Sequence, residues 1–122
     1  MSKENITVKI DTAAPVAAKI ESVAAEYNGK YKVNDDVYNR FIDVYRKFRK
    51  FAVQNDGGIR SVDVRNVERA KIVAEVPDVD SYKEGLSLFS TLLGEIDSMD
   101  IHATGGEYLV VEVGVAGLWK AV

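Results

Sequence analysis

The residues best suited to chemistry lie near the C-terminus, around the only histidine of the chain. If the flanking strands form a hairpin, His102 lies opposite Tyr108, and Asp100 and Glu112 share its face. An imidazole beside carboxylates can act as a general acid or base, or can bind a metal together with residues of a second subunit. The same residues are also typical of the solvent face of an edge hairpin, and no second histidine or nucleophile accompanies them. We therefore predict no catalytic residue, no metal site and no cofactor, and we favour a protein that is not an enzyme.

Basic residues form a second candidate site. Residues 40–71 hold nine Lys or Arg and four Asp or Glu, a net charge of +5, whereas residues 72–122 carry −7 and residues 1–39 carry −1. Clustered cations bind the phosphates of nucleic acids or of phosphorylated ligands. The candidate binding residues are Arg40, Lys47, Lys50, Arg60, Arg65, Arg69 and Lys71. Two alternatives remain open: a solvated helix face, and neutralisation by the acidic last third of the chain.

Large apolar side chains form a third candidate, an interface. Tyr38 and Tyr45 widen the apolar face of a predicted helix, and Leu118 and Trp119 lie in a glycine-spaced C-terminal segment. Tryptophan is a favoured anchor residue in protein interfaces. The alternative is that this segment covers the protein's own core.

The N-terminal half must supply a strand and two helices to position these residues. Residues 6–10 alternate apolar and polar side chains, which predicts a strand. Helical spacing of apolar residues predicts a first helix at about 13–28, and a second that Asn34 caps and that ends near Gln54. Because about five residues join the two helices, they are predicted to form an antiparallel αα-hairpin.

The C-terminal half alternates hairpins with a helix. In a hairpin over 59–76, a loop at 66–68 places Asp63 opposite Lys71 and Arg65 opposite Arg69. A capping box at Ser81 opens a third helix. Its predicted buried face consists of Leu86, Phe89, Leu92, Leu93 and Ile96. A loop at 104–106 completes the last hairpin, because an odd loop length puts the apolar residues of both strands on one face.

These elements predict a single α+β domain over residues 1–122, in the order β-α-α-β-β-α-β-β. We expect a mostly antiparallel sheet of about five strands, with the αα-hairpin and the third helix packed on it. The absence of cysteine excludes disulfides, thiolate zinc sites and iron–sulfur clusters. No apolar run approaches the ~18 residues of a membrane span and no signal peptide is evident, so we expect a cytoplasmic protein without a membrane partner.

The charge asymmetry, the wide aromatic helix and the apolar tail together favour a small non-enzymatic binding or assembly module. We expect it to form a homo-oligomer and to engage a macromolecular partner such as a protein, as a structural subunit, adaptor or inhibitor does. The alternative is a binder of nucleic acid or of a phosphorylated ligand, which would use a basic strip on the second helix and first hairpin.

Overall fold

The computed structural model describes residues 12–77, 81–92, 94–104 and 108–122, and the strand predicted at 6–10 lies outside them. The elements in chain order are α1 (Ala14–Glu26), β1 (Tyr31–Val33), α2 (Asp35–Gln54), β2 (Gly58–Asp63), β3 (Arg69–Val76), α3 (Ser81–Leu92), β4 (Ser98–Thr104), β5 (Tyr108–Ala116) and β6 (Trp119–Ala121). Three helices with antiparallel sheets confirm the predicted α+β class.

The main sheet has four antiparallel strands in the order β2-β3-β5-β4, so that β2 and β4 are its edges. A second, two-stranded sheet pairs β1 with β6 and was not predicted. Each of its strands has three residues, which is too short for an alternating pattern to be recognised in the sequence. Because β1 lies in the α1–α2 connection, that connection is not the simple five-residue loop expected of an αα-hairpin.

Helix α2 forms the centre of the core. Its apolar stripe at helical spacing includes the fully buried Phe41, Val44 and Phe48, and the helix packs on β2, β3 and β5. Asp35 and Asp36 occupy its first turn, where the helix dipole favours acidic side chains. The predicted side-chain cap is wrong, because the side chain of Asn34 makes no capping hydrogen bond. The backbone N–H of Asn34 instead donates to the carbonyl of Leu118 at 2.8 Å.

The main sheet has an inner face that packs against α2 and an outer face without a helix among the described residues. On β3, Ala70, Ile72, Ala74 and Val76 point inward and are fully buried. The predicted pairing of Asp63 with Lys71 is confirmed and lies on the outer face.

The register of the last hairpin differs from the prediction by two residues. Thr104 pairs with Tyr108, His102 with Val110, and Asp100 with Glu112, so the predicted His102–Tyr108 pair is wrong. The predicted face of each side chain is nevertheless correct, because side chains alternate between the two faces and a shift of two residues leaves each on the same face.

The buried face of α3 departs from the prediction at Leu86. Leu92 is fully buried, and Leu88 and Ile96 are partly buried against the core. Leu86 is 47% exposed, contrary to the prediction, because it lies on another side of the helix from Leu92. The side chain of Phe89 and residue Leu93 lie outside the described part of the structure.

Candidate functional site

The cations of α2 differ in how they are paired. Lys47 Nζ lies 3.0 Å from Asp43 Oδ2 and 3.2 Å from Glu95 Oε2. These hydrogen bonds raise the pKa of Lys47, and the bond from Lys47 lowers the pKa of Asp43. Lys50 is exposed and forms no ion pair within the described residues. Arg40 is half-buried, and its buried Nε has no hydrogen-bond partner in the described structure.

An open cleft of about 280 Å³ lies between α2 and α3. It is lined by Lys47, Lys50, Phe51, Gln54, Asn55, Ser87, Leu88 and Thr91. Of the predicted phosphate ligands, only Lys47 and Lys50 line it, and Lys47 is already bonded to two carboxylates.

The cations of the first hairpin are largely neutralised by acidic partners. Arg60 pairs with Glu75 at 3.6 Å and Lys71 with Glu112 at 3.7 Å. Arg65 does not lie opposite Arg69 in the ladder as predicted. Its guanidinium instead makes two hydrogen bonds to Glu26 of α1.

These contacts raise the pKa of Arg65 and lower the pKa of Glu26, in both cases mainly through the hydrogen bond between the two side chains.

Arg69 forms no ion pair within the described residues, and its side chain passes over Gly114. It lines a cleft of about 270 Å³ with Asn66, Glu68 and Lys71. Lys71 and Arg69 are on the outer face of the sheet, whereas α2 packs on the inner face. The predicted binding residues of the hairpin and of α2 are therefore separated by the sheet and do not form one strip.

The C-terminal segment covers the protein's own core, which is the alternative to the predicted interface. Leu118 and Trp119 are buried at 1% and 6% exposure. Trp119 Nε1 donates to the carbonyl oxygen of Val64 at 2.7 Å, and its ring meets Tyr27 edge to face. Neither residue therefore offers an exposed anchor to a partner, contrary to the interface prediction.

The two predicted interface tyrosines differ in exposure. Tyr45 is buried in the core. Tyr38 is half-buried and lines a cleft of about 350 Å³ between α1 and α2. Of the four predicted interface residues, only Tyr38 is therefore partly accessible.

The histidine lies on the outer face of edge strand β4. His102 Nδ1 is 2.9 Å from Asp100 Oδ2, and the two side chains are 53% and 67% exposed. Asp100 also faces Glu112 on β5. Within the described ranges, no cluster of three or more His, Cys, Asp or Glu is arranged to hold a metal ion.

The two edges of the main sheet differ in a way that no sequence motif indicates. The β2–β3 ladder contains a register irregularity between Ile59 and Ser61, and Lys19 of α1 donates to the β2 carbonyl of Val62 at 2.6 Å. The β4–β5 ladder is continuous from Ser98 to Thr104, and no described strand pairs with the other side of β4. Neither edge segment, 58–63 or 98–104, contains Lys or Pro, the residues that commonly protect edge strands, so the edges differ in the regularity of the ladder and in the contact from Lys19.

Comparisons with models of protein families, with curated proteins and with solved structures find no match to this chain. In the part of the chain that the structure describes, no helix has the length and apolarity that crossing a membrane requires.

Proposed function

We propose that the protein is a non-enzymatic binding and assembly module that self-associates through its edge strand β4. The observation that carries the proposal is the contrast between the two edges of the sheet. β4 presents a regular seven-residue edge without a described partner, whereas β2 is interrupted by a bulge and contacted by α1. Unprotected edges expose backbone donors and acceptors that pair readily with another strand.

Four of the seven predicted phosphate-binding cations support this proposal indirectly, because they are already paired within the chain. Arg60, Arg65, Lys47 and Lys71 have carboxylate partners. The binding of nucleic acid or of a phosphorylated ligand therefore has less support, since it needs unpaired cations that converge on one surface. The charge asymmetry of the sequence is explained in part by these internal pairs.

Size-exclusion chromatography with light scattering, over a series of protein concentrations, tests the proposal. We expect a species of twice the 13.5 kDa chain mass that dissociates on dilution. A monomer at every concentration would contradict self-association. Absorbance at 260 nm that accompanies the monomer and disappears in high salt would instead support the phosphate-binding alternative.

A pair of lysine variants tests whether β4 is the edge in use. Ala103 of β4 and Ser61 of β2 are both exposed, so a lysine is tolerated by the monomer at either position. We expect Ala103→Lys to shift the protein toward monomer and Ser61→Lys to leave the association unchanged, since a lysine on a strand edge opposes pairing. Equal effects of the two variants would contradict the assignment of β4.

A further inference from the structure

We infer that β4 pairs antiparallel with β4 of a second copy, in a register centred on Ile101. This inference rests on the proposed self-association. Asp100 of each copy then lies opposite His102 of the other. The two four-stranded sheets would join edge to edge into one continuous sheet, related by a two-fold axis at Ile101.

The register follows from the pleat and the length of the strand. Residues that lie opposite each other must share a sheet face, so a two-fold axis between identical antiparallel strands passes through a residue position. Ile101 is the middle residue of Ser98–Thr104, and only this centre pairs the strand over its full length. The neighbouring centres, Asp100 and His102, shorten the ladder and place a residue opposite its own copy, carboxylate against carboxylate or imidazole against imidazole.

The charges on the outer face favour the same register. Within one chain, Asp100 faces Glu112 on β5, and like charges directly opposite each other destabilise a sheet. Glu112 has Lys71 as a partner at 3.7 Å, whereas the one described partner of Asp100 is His102 on its own strand. Pairing across the two-fold axis gives each Asp100 a second imidazole.

Among the described residues, no strand lies beside His102 on the side away from β5. On β5, His102 is opposite Val110, with Tyr108 and Glu112 as the flanking polar residues of that face. Glu75 of β3 is opposite Val110 on the far side and pairs with Arg60. The ring is 53% exposed and therefore accessible to the partner's Asp100.

The inner face adds an apolar contribution in this register. Met99 and Ile101 are partly buried against the core, and Ala103 is exposed at the edge. A centre at Ile101 brings the two Ile101 side chains together and places each Met99 opposite the Ala103 of the other copy. The pairing would thus extend the apolar inner face across the axis.

Exchanging aspartate and histidine at positions 100 and 102 tests the register of the β4–β4 pairing. His102→Asp places two carboxylate pairs across the axis, and Asp100→His places two imidazole pairs there. We expect each single variant to weaken dimerisation near neutral pH by about tenfold or more, since two cross-strand pairs change sign or lose their attraction. The double variant Asp100→His/His102→Asp restores the opposite pairs and should dimerise like the wild-type chain.

Mixing the two single variants supplies the decisive measurement. An equimolar mixture should form a heterodimer more strongly than either variant forms a homodimer, because every aspartate then meets a histidine. The control Asp63→His makes the same change on the outer face of β2 and should leave dimerisation unaffected. Circular dichroism and urea midpoints confirm that each variant is folded.

The outcomes separate this inference from the proposed function. A wild-type chain that is monomeric throughout overturns both. A wild-type dimer that His102→Asp leaves unchanged, or a mixture without preferential heterodimer, overturns the register while self-association stands. Restoration in the double variant and in the mixture supports the register, since a folding defect in one variant would not be repaired by the other.

Discussion

The two edges of the main sheet, β2 and β4, are similar in length but opposite in their surroundings. β2 has six residues and a bulge, and Lys19 of α1 donates to its carbonyl group at Val62. β4 has seven residues, pairs evenly with β5 and carries Asp100 and His102 on its exposed face. Among the described residues, tertiary contacts thus reach the β2 edge, whereas no strand covers the outer side of β4.

Polar contacts from other parts of the chain hold the segment that follows β2. Tyr27 donates from its hydroxyl group to the carbonyl of Arg65, and Trp119 donates to the neighbouring carbonyl of Val64. Arg65 in turn binds Glu26 of α1. The segment after β2 is thus held by α1 and by the C-terminal segment, so backbone groups that follow the edge strand are already satisfied.

The largest effect is expected from replacing Trp119, which holds the segment that follows β2. Trp119→Ala should lower the free energy of unfolding by about 3–5 kcal/mol, because it leaves a cavity and removes the hydrogen bond to Val64. Trp119→Phe keeps much of the volume and should cost about 1–3 kcal/mol through the unsatisfied carbonyl. Urea unfolding, measured at a protein concentration at which the chain is monomeric, gives these values.

The corresponding substitution on β4 is His102→Ala. It should alter the free energy of unfolding of the monomer by about 0.5 kcal/mol or less. The ring is more than half exposed and its described bond is to the adjacent Asp100. If His102→Ala destabilised the monomer as much as Trp119→Phe does, the contrast between the two edges would be lost.

An effect smaller than that of Trp119→Ala is expected at the turn that leads into β2. A Cβ at Gly57 would lie 2.0 Å from the carbonyl oxygen of Glu75 and 2.8 Å from Cα of Val76, both backbone atoms of β3. Gly57→Ala should therefore cost about 1–3 kcal/mol, since the β2–β3 pairing must shift. The neighbouring Gly58 has open space around a Cβ, so Gly58→Ala is the control and should leave the urea midpoint almost unchanged. Equal midpoints for the two variants would contradict the close approach.

The sequence predicted the elements well because their periodicity is local. The apolar face of α2, and the faces on which the side chains of both hairpins lie, follow from patterns of neighbouring residues. The structure confirms both. The sequence determines the last turn less well, because registers that differ by two residues put the same side chains on each face. The predicted pairing of His102 with Tyr108 failed for that reason.

The features that decide the candidate surfaces depend on contacts between distant residues. Trp119 and Val64 are 55 positions apart, and so the local pattern left both a buried and an exposed tryptophan open. The pairing of Arg65 with Glu26 is likewise set by the docking of α1 beside the hairpin. The difference between the two edges depends in turn on the strand order β2-β3-β5-β4, which puts the first strand of each hairpin at an outer position.

A small effect that depends on pH is expected from the ion pair that joins α1 to the segment after β2. The hydrogen bond from Arg65 holds the pKa of Glu26 below its ordinary value. A carboxyl group whose pKa is lowered by folding adds stability above its unfolded pKa, and this stability is lost as the pH falls through the lowered folded value. Because both side chains are largely exposed, solvent screening keeps the contribution modest.

Glu26→Gln should therefore unfold at a slightly lower urea concentration than the wild-type chain near neutral pH. The difference should shrink as the pH falls through the lowered pKa of Glu26, because the wild-type carboxyl group then becomes protonated as well. Glu21→Gln is the control, since Glu21 is exposed on the same helix and has no ion pair within the described residues. A difference between wild type and Glu26→Gln that persisted unchanged in acid would mean that the charge of Glu26 does not hold α1 against this side of the sheet.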